Sequence, residues 1–181
     1  MQSYDYANRK GVELVSWERF AEMAGTLVEA LSAEKIDVVI GVARAGLFPA
    51  TAVACMLRRE LYPVRVTRRF NDEVTYDHPV WRVDVPVSVR DQRVAVIDEI
   101  ADSGETLAMV KLRALERGAA HVVSACLVAH TWASPRPDVA ALVSDAFVVF
   151  PWDKQVFMDG KWQPHPEIEA GLKMQRKDES G

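Results

Sequence analysis

The run VAVIDEIADSGETL, Val94 to Leu107, concentrates side chains able to do chemistry. Two adjacent acids, Asp98 and Glu99, stand where an apolar, β-branched stretch stops. Asp102, Ser103, Gly104, Glu105 and Thr106 then form a short polar loop at the opening of a helix. Backbone amides at a helix N-terminus lack intrahelical partners and point at whatever lies before them. With the hydroxyls of Ser103 and Thr106 and the small Gly104, the stretch from Ala101 to Thr106 makes a cradle for a phosphate. The acids ask for something else, because carboxylates accept hydrogen bonds from a vicinal diol or bind a divalent cation. A phosphorylated ribose accompanied by magnesium satisfies both halves, whereas a bare polyphosphate would be repelled. Glu105 suits a solvated first helical turn, where negative charge is favourable. An ordinary strand leading to an N-capped helix needs only one such residue and leaves the acid pair unexplained.

Three further places add to this. In VVIGVARAGLFPA, Val38 to Ala50, Arg44 offers a planar fork of donors to phosphate oxygens, and its small neighbours Ala43, Ala45 and Gly46 let the backbone come close. Taken alone, Arg44 also reads as a surface arginine beside a turn. In DAFVVFPWD, Asp145 to Asp153, Phe147 suits stacking on a flat heterocycle, although Phe147 and Phe150 also fit the core of an alternating strand, the preferred view for Phe150. His130, in VAHTW, ends a strand and either donates or accepts toward a ligand or serves the structure.

These residues resemble the type I phosphoribosyltransferases. Four apolar residues, two acids, and an acid followed by Ser-Gly-x-Thr are similar to that family's phosphoribosyl pyrophosphate motif. The resemblance implies that Asp98 and Glu99 hold the ribose hydroxyls and that Ala101, Asp102, Ser103, Gly104, Glu105 and Thr106 hold the 5′-phosphate. Ala43, Arg44, Ala45 and Gly46 resemble the pyrophosphate-binding loop, with Ala45 where glycine is frequent and a non-proline cis peptide is common. The segment ending in Pro-Trp-Asp resembles the hood of xanthine-guanine and hypoxanthine phosphoribosyltransferases. That likeness implies base contacts from Phe147, Val148 and Asp153, with His130 at the position where 6-oxopurine enzymes carry a lysine.

The chemistry so implied is displacement at the anomeric carbon. Arg44 and Mg2+, the latter on Asp98, Glu99 and Asp153, stabilise the departing pyrophosphate, and Asp102 assists as general base. Arg68, Arg69 and Arg82 are further candidates to meet the pyrophosphate, or are solvated surface charges. The expected partners are phosphoribosyl pyrophosphate and a nucleobase, a 6-oxopurine as in purine salvage, and the expected assembly is a homodimer. A phosphoribosyl pyrophosphate sensor without transfer activity, a transferase for a non-purine acceptor, and another nucleotide-binding α/β domain stay open as alternatives.

The elements that must position these groups alternate. Ser16 is set to N-cap a helix whose buried face carries Trp17, Phe20, Ala24, Leu27 and Leu31. Strands are expected at 37–42, 63–67, 93–97, 121–128 and 146–150, the last ending the sheet, and helices at 50–59 and 106–117, with Gly118 closing the latter. This pattern predicts a doubly wound α/β fold with a mainly parallel sheet, in which ligands bind beyond the carboxyl ends of strands. Residues 68–91 read as a flexible loop or a hairpin, 129–165 as a hood and 172–181 as a disordered tail.

A chain of 181 residues with 49% apolar composition predicts a single domain around one core. The net charge of −4 argues against nucleic acid as a partner. No stretch is apolar for the length a bilayer demands, so a cytoplasmic location without membrane contact is expected. Cys55 and Cys126 are expected to be buried free thiols.

Overall fold

The computed structural model describes residues 9–67, 69–70, 73–76 and 79–178. In chain order the elements are β1 (Val12–Leu14), α1 (Trp17–Ala33), β2 (Val38–Val42), α2 (Leu47–Leu57), β3 (Glu60–Thr67), β4 (Arg69–Phe70), β5 (Glu73–Val74), β6 (Val80–Val83), β7 (Arg93–Ala101), α3 (Glu105–Glu116), β8 (His121–Ala129), β9 (Val139–Val143), β10 (Phe147–Val149), β11 (Gln155–Met158), β12 (Lys161–Pro164) and α4 (Pro166–Asp178). The chain divides into two compact units, 22–144 and 1–21 with 145–181.

The first unit is built on a six-stranded sheet in the order β6-β3-β2-β7-β8-β9. The pairs β2–β3, β2–β7, β7–β8 and β8–β9 are parallel, and β6 closes the β3 edge antiparallel. All five residues of β2 are buried, as a central strand covered on both faces requires. One face packs Ile40, Val42, Val64, Val96 and Cys126 against Leu107, Val110 and Ala114 of α3.

Several expectations are corrected here. Strand β7 does not stop before the acids: Asp98 pairs with Cys126 and Ala101 with Ala129. The long neighbour β8 keeps offering backbone partners, and a ladder propagates whatever the side chains. Strand β9 was hidden because its residues, Val139 to Val143, lack clear alternation and follow two prolines. Helix α2 starts ahead of Pro49 and ends at Leu57, where Arg58 turns left-handed at φ 57° and donates its amide to carbonyls of Ala54 and Cys55. Cys55 is exposed and only Cys126 is buried. Within 68–91, where a loop or a hairpin was expected, β4 pairs antiparallel with β5 and β6 with β3; Arg68 lies outside the described residues and Arg82 is exposed on β6.

Helix α1 begins as expected, with Ser16 Oγ accepting the amide of Arg19 at 3.1 Å. Its buried face is Met23, Ala24, Leu27 and Leu31, while Trp17 is 53% exposed.

In the second unit β1 and β10 pair in parallel, and β11 and β12 form an antiparallel hairpin. The strand at Phe147–Val149 is therefore not the last of the main sheet but half of a two-stranded one. Residues 172–178, expected to be disordered, belong to α4, whose Ile168 and Leu172 pack on Phe147 and Val149. Among the described residues no helix is long and apolar enough to cross a membrane.

Candidate active site

From β2 the chain moves to β3 on one side, whereas β7, β8 and β9 extend the sheet on the other. The crevice between the carboxyl ends of β2 and β7 is thus the topological switch point, the place where such sheets bind ligands. Both chemically marked segments open from it. They also touch: a β-carbon added to Gly46 would lie 2.5 Å from the Val42 carbonyl oxygen and 2.6 Å from Asp98 Oδ1. Glycine is needed there for close approach, since its φ of −61° is open to any residue.

The loop after β2 is tight. The amides of Leu47 and Phe48 donate to the carbonyls of Arg44 and Ala45 at 3.1 and 3.0 Å, and the Ala43–Arg44 peptide is cis. The resemblance anticipated a cis peptide in this loop, and Ala45 in place of glycine is accommodated. Arg44 is exposed at the rim.

Asp98 is 8% exposed, and its Oδ1 accepts the amide of Glu99 at 2.9 Å. Burial, then the charge of Glu99, pushes its carboxyl well above the usual carboxylate range. Neither acid makes an ion pair among the described residues. Opposite Asp98 in the ladder, the Cys126 thiol is pushed up to about 12 by burial and then by Asp98, so it stays protonated and inert. Among the described residues no three His, Cys, Asp or Glu side chains gather as a metal site.

The phosphate cradle has the expected form. Gly104 takes φ 86°, Ser103 Oγ accepts the amide of Glu105 at 3.3 Å, and Glu105 is exposed. Ala101 is 3% exposed at the end of β7 and its carbonyl accepts the amide of His130 at 3.1 Å. Thr106 is half-buried in the first turn of α3.

A feature not anticipated from sequence is the loop after β8. The amide of Ser134 donates to the Ser103 carbonyl at 2.8 Å, and a β-carbon on Gly104 would meet the Pro135 oxygen at 2.1 Å. Trp132 donates its indole N–H to Asp102 Oδ1 at 3.1 Å and stacks on His130, centroids 4.4 Å apart and planes at 15°. His130, 1% exposed, donates from Nδ1 to the Ser144 carbonyl at 2.5 Å. Its ring supports Trp132. The legible signal was the Ser134-Pro135-Arg136-Pro137 turn two residues after a tryptophan, which marks a fixed loop.

Phe147, Val148 and Asp153 lie in the other unit. Phe147 is 6% exposed, and a β-carbon on Gly171 would stand 2.7 Å from its Cζ, so its ring is committed to α4. Val148 is buried in β10, and Asp153 is half-buried in a short turn at Pro151–Asp153. Phe150 is buried and stacks on Trp152 at 4.8 Å.

The phosphoribosyl transferase domain family matches residues 13–157, well over half of the chain. The chain belongs to that family. It is a phosphoribosyltransferase, and phosphoribosyl pyrophosphate is its donor. A purine phosphoribosyltransferase from Pyrococcus horikoshii is similar at 29% identity and TM-score 0.72, over 84% of this chain and all of that one. The xanthine-guanine-hypoxanthine phosphoribosyltransferase of Helicobacter pylori shares the fold at 19% identity and TM-score 0.66, over 78% of this chain and 91% of that one. So does a hypothetical protein from Neisseria gonorrhoeae with bound ppGpp, at 20% and 0.64, over 93% and 98%. Among curated proteins none matches. The mainly parallel sheet flanked by helices is the type I phosphoribosyltransferase fold.

Proposed function

We propose that this phosphoribosyltransferase moves the 5-phosphoribosyl group to a 6-oxopurine and releases pyrophosphate, as a purine salvage enzyme. The observation that carries the proposal is the close approach of Gly46 to Asp98, which joins the loop suited to pyrophosphate with the acids suited to ribose. The purine specificity of the Pyrococcus relative supports the choice of acceptor.

In this reading Asp98 and Glu99 accept hydrogen bonds from the ribose hydroxyls, and the amides and hydroxyls of Ala101 to Thr106 hold the 5′-phosphate. Arg44 meets the pyrophosphate from the rim. Asp102, beside the cradle, takes the proton that the base loses as its nitrogen bonds to the anomeric carbon.

The donor set at Asp98 and Glu99 fits magnesium: two adjacent carboxylates, one buried, with no basic side chain paired to them among the described residues. Asp98 and Glu99 would hold it. A bound cation there supplies counter-charge for the departing pyrophosphate.

Pyrophosphate release is to be measured with magnesium across guanine, xanthine, hypoxanthine, adenine and orotate. Turnover with one or more of the first three and not the last two is expected. Release only with adenine or orotate would overturn the choice of acceptor.

A further inference from the structure

We propose that Trp132 is a positioning residue for Asp102, and that it works as the upper half of a stack founded on His130. The inference rests on the reading of Asp102 as the general base.

Three observations converge on the pair. The indole Nε1 is 3.1 Å from Asp102 Oδ1, a hydrogen bond from a neutral donor to a carboxylate. The indole itself is held from below, because it lies nearly flat on the imidazole of His130. That imidazole is 1% exposed and anchored by its own hydrogen bond to the Ser144 carbonyl. The chain around Trp132 is fastened to the cradle as well, through the Ser134 amide on the Ser103 carbonyl and the contact of Gly104 with Pro135.

The consequence follows from geometry. A carboxylate on a short loop turns freely about its side-chain torsions, and a general base must meet its proton within hydrogen-bond reach. A donor on a rigid, stacked ring fixes one oxygen and thereby the plane of the group. Pre-orientation of this kind lowers the cost of reaching the reactive geometry without adding affinity for the donor substrate. Trp132 is 40% exposed, which is a large aromatic area to leave in water unless its placement serves the site. The histidine that stands where 6-oxopurine enzymes carry a lysine thus acts from beneath, through the tryptophan.

The test is a double-mutant cycle on the full chain: wild type, Trp132→Phe, Asp102→Asn and the double variant. Phenylalanine keeps a ring over His130 and removes only the N–H. We expect W132F to lower kcat roughly ten-fold, the loss of a hydrogen bond to a charged group, with KM for phosphoribosyl pyrophosphate unchanged. In the D102N background the same substitution should cost nothing further, because the amide oxygen still accepts the indole N–H but there is no base left to orient. Trp132→His, which restores a flat ring with an N–H, should recover part of the loss. An equal fold-loss in both backgrounds, or no loss from W132F beside a large loss from D102N, overturns the proposal while leaving Asp102 as base. Full turnover by D102N itself overturns the reading of Asp102 and the proposal with it. If W132F does not fold, the cycle is run with Trp132→Leu under the same criteria.

Discussion

Two acidic places in the larger unit treat the same chemical group in opposite ways. Asp84, just beyond β6, is clasped by α3: Arg113 donates from Nε at 2.9 Å and from Nη2 at 2.6 Å, and Arg117 donates from Nη2 at 2.5 Å. These guanidinium contacts, Arg113 first, hold its carboxyl far below the usual range despite some desolvation. Asp98 is more deeply buried, faces another acid, and is pushed the other way. A carboxylate whose charge is offset inside the chain is a fastener. One whose charge is left for something outside the chain to offset belongs to a binding site.

The strongest way to break that contrast is to neutralise the pair. Replacing Asp98 with Asn and Glu99 with Gln should lower kcat/KM for phosphoribosyl pyrophosphate on the order of a thousandfold, since two charge-assisted contacts to the sugar go at once. The ligand-free double variant should melt no lower than wild type, because burial already disfavours charge at Asp98. Calorimetry with magnesium and donor, alongside thermal melting, reads both halves. A variant that melts several degrees lower would mean that the acids serve folding after all.

Asp102→Asn should lower kcat on the order of a hundredfold and leave the dissociation constant for phosphoribosyl pyrophosphate as it was. Rapid-quench turnover and equilibrium binding separate the two. Weaker donor binding with unaltered turnover would assign Asp102 to the cradle alone.

Much of this contrast could be seen in the residues before any coordinates. The acids, the small loop residues and the helix start announce themselves because each needs a particular residue type at a particular place: Gly104 at φ 86°, hydroxyls at the first turn, carboxylates opposite a diol. The central strands were equally plain, since β2 is buried throughout and its composition says so. What stayed hidden depends on distant partners. Strand β7 runs on through Asp98 only because β8 is there to pair with it. Nothing in the neighbourhood of Phe147 along the chain reveals Gly171 and α4 against its ring. Trp132 carries no motif, and its bond to Asp102 spans a gap of 30 residues that only the fold closes.

Gly46 sharpens the comparison from the binding side. Its missing side chain makes room for Asp98, so Gly46→Ala forces backbone to move against the Val42 carbonyl and the Asp98 Cα, 2.9 Å from the new methyl. Overpacking of this kind costs about 1–3 kcal/mol, and here it also displaces a residue that holds the sugar. Both a lower melting temperature and a higher KM for phosphoribosyl pyrophosphate are expected. Unchanged KM would separate the two loops functionally.

The smallest effect is expected at the fastener. Asp84→Asn removes a carboxylate whose side chain is 35% exposed and whose partners Arg113 and Arg117 are similarly placed, so solvent screening keeps the loss to about 1 kcal/mol. Activity should not change, because Asp84 touches no part of the site. The pH dependence follows from the direction of the shift. A carboxyl held below its unfolded value contributes stability that is fully present above the unfolded value, near pH 4, and is lost as the pH falls through the folded one. Melting curves of wild type and D84N should therefore differ at neutral pH and converge as the solution is acidified below about pH 4. Raising the salt concentration should narrow the gap at neutral pH for the same reason that exposure does. A difference that persists unchanged at pH 2 would mean that Asp84 acts through packing, and the contrast with Asp98 would then be one of position and not of charge.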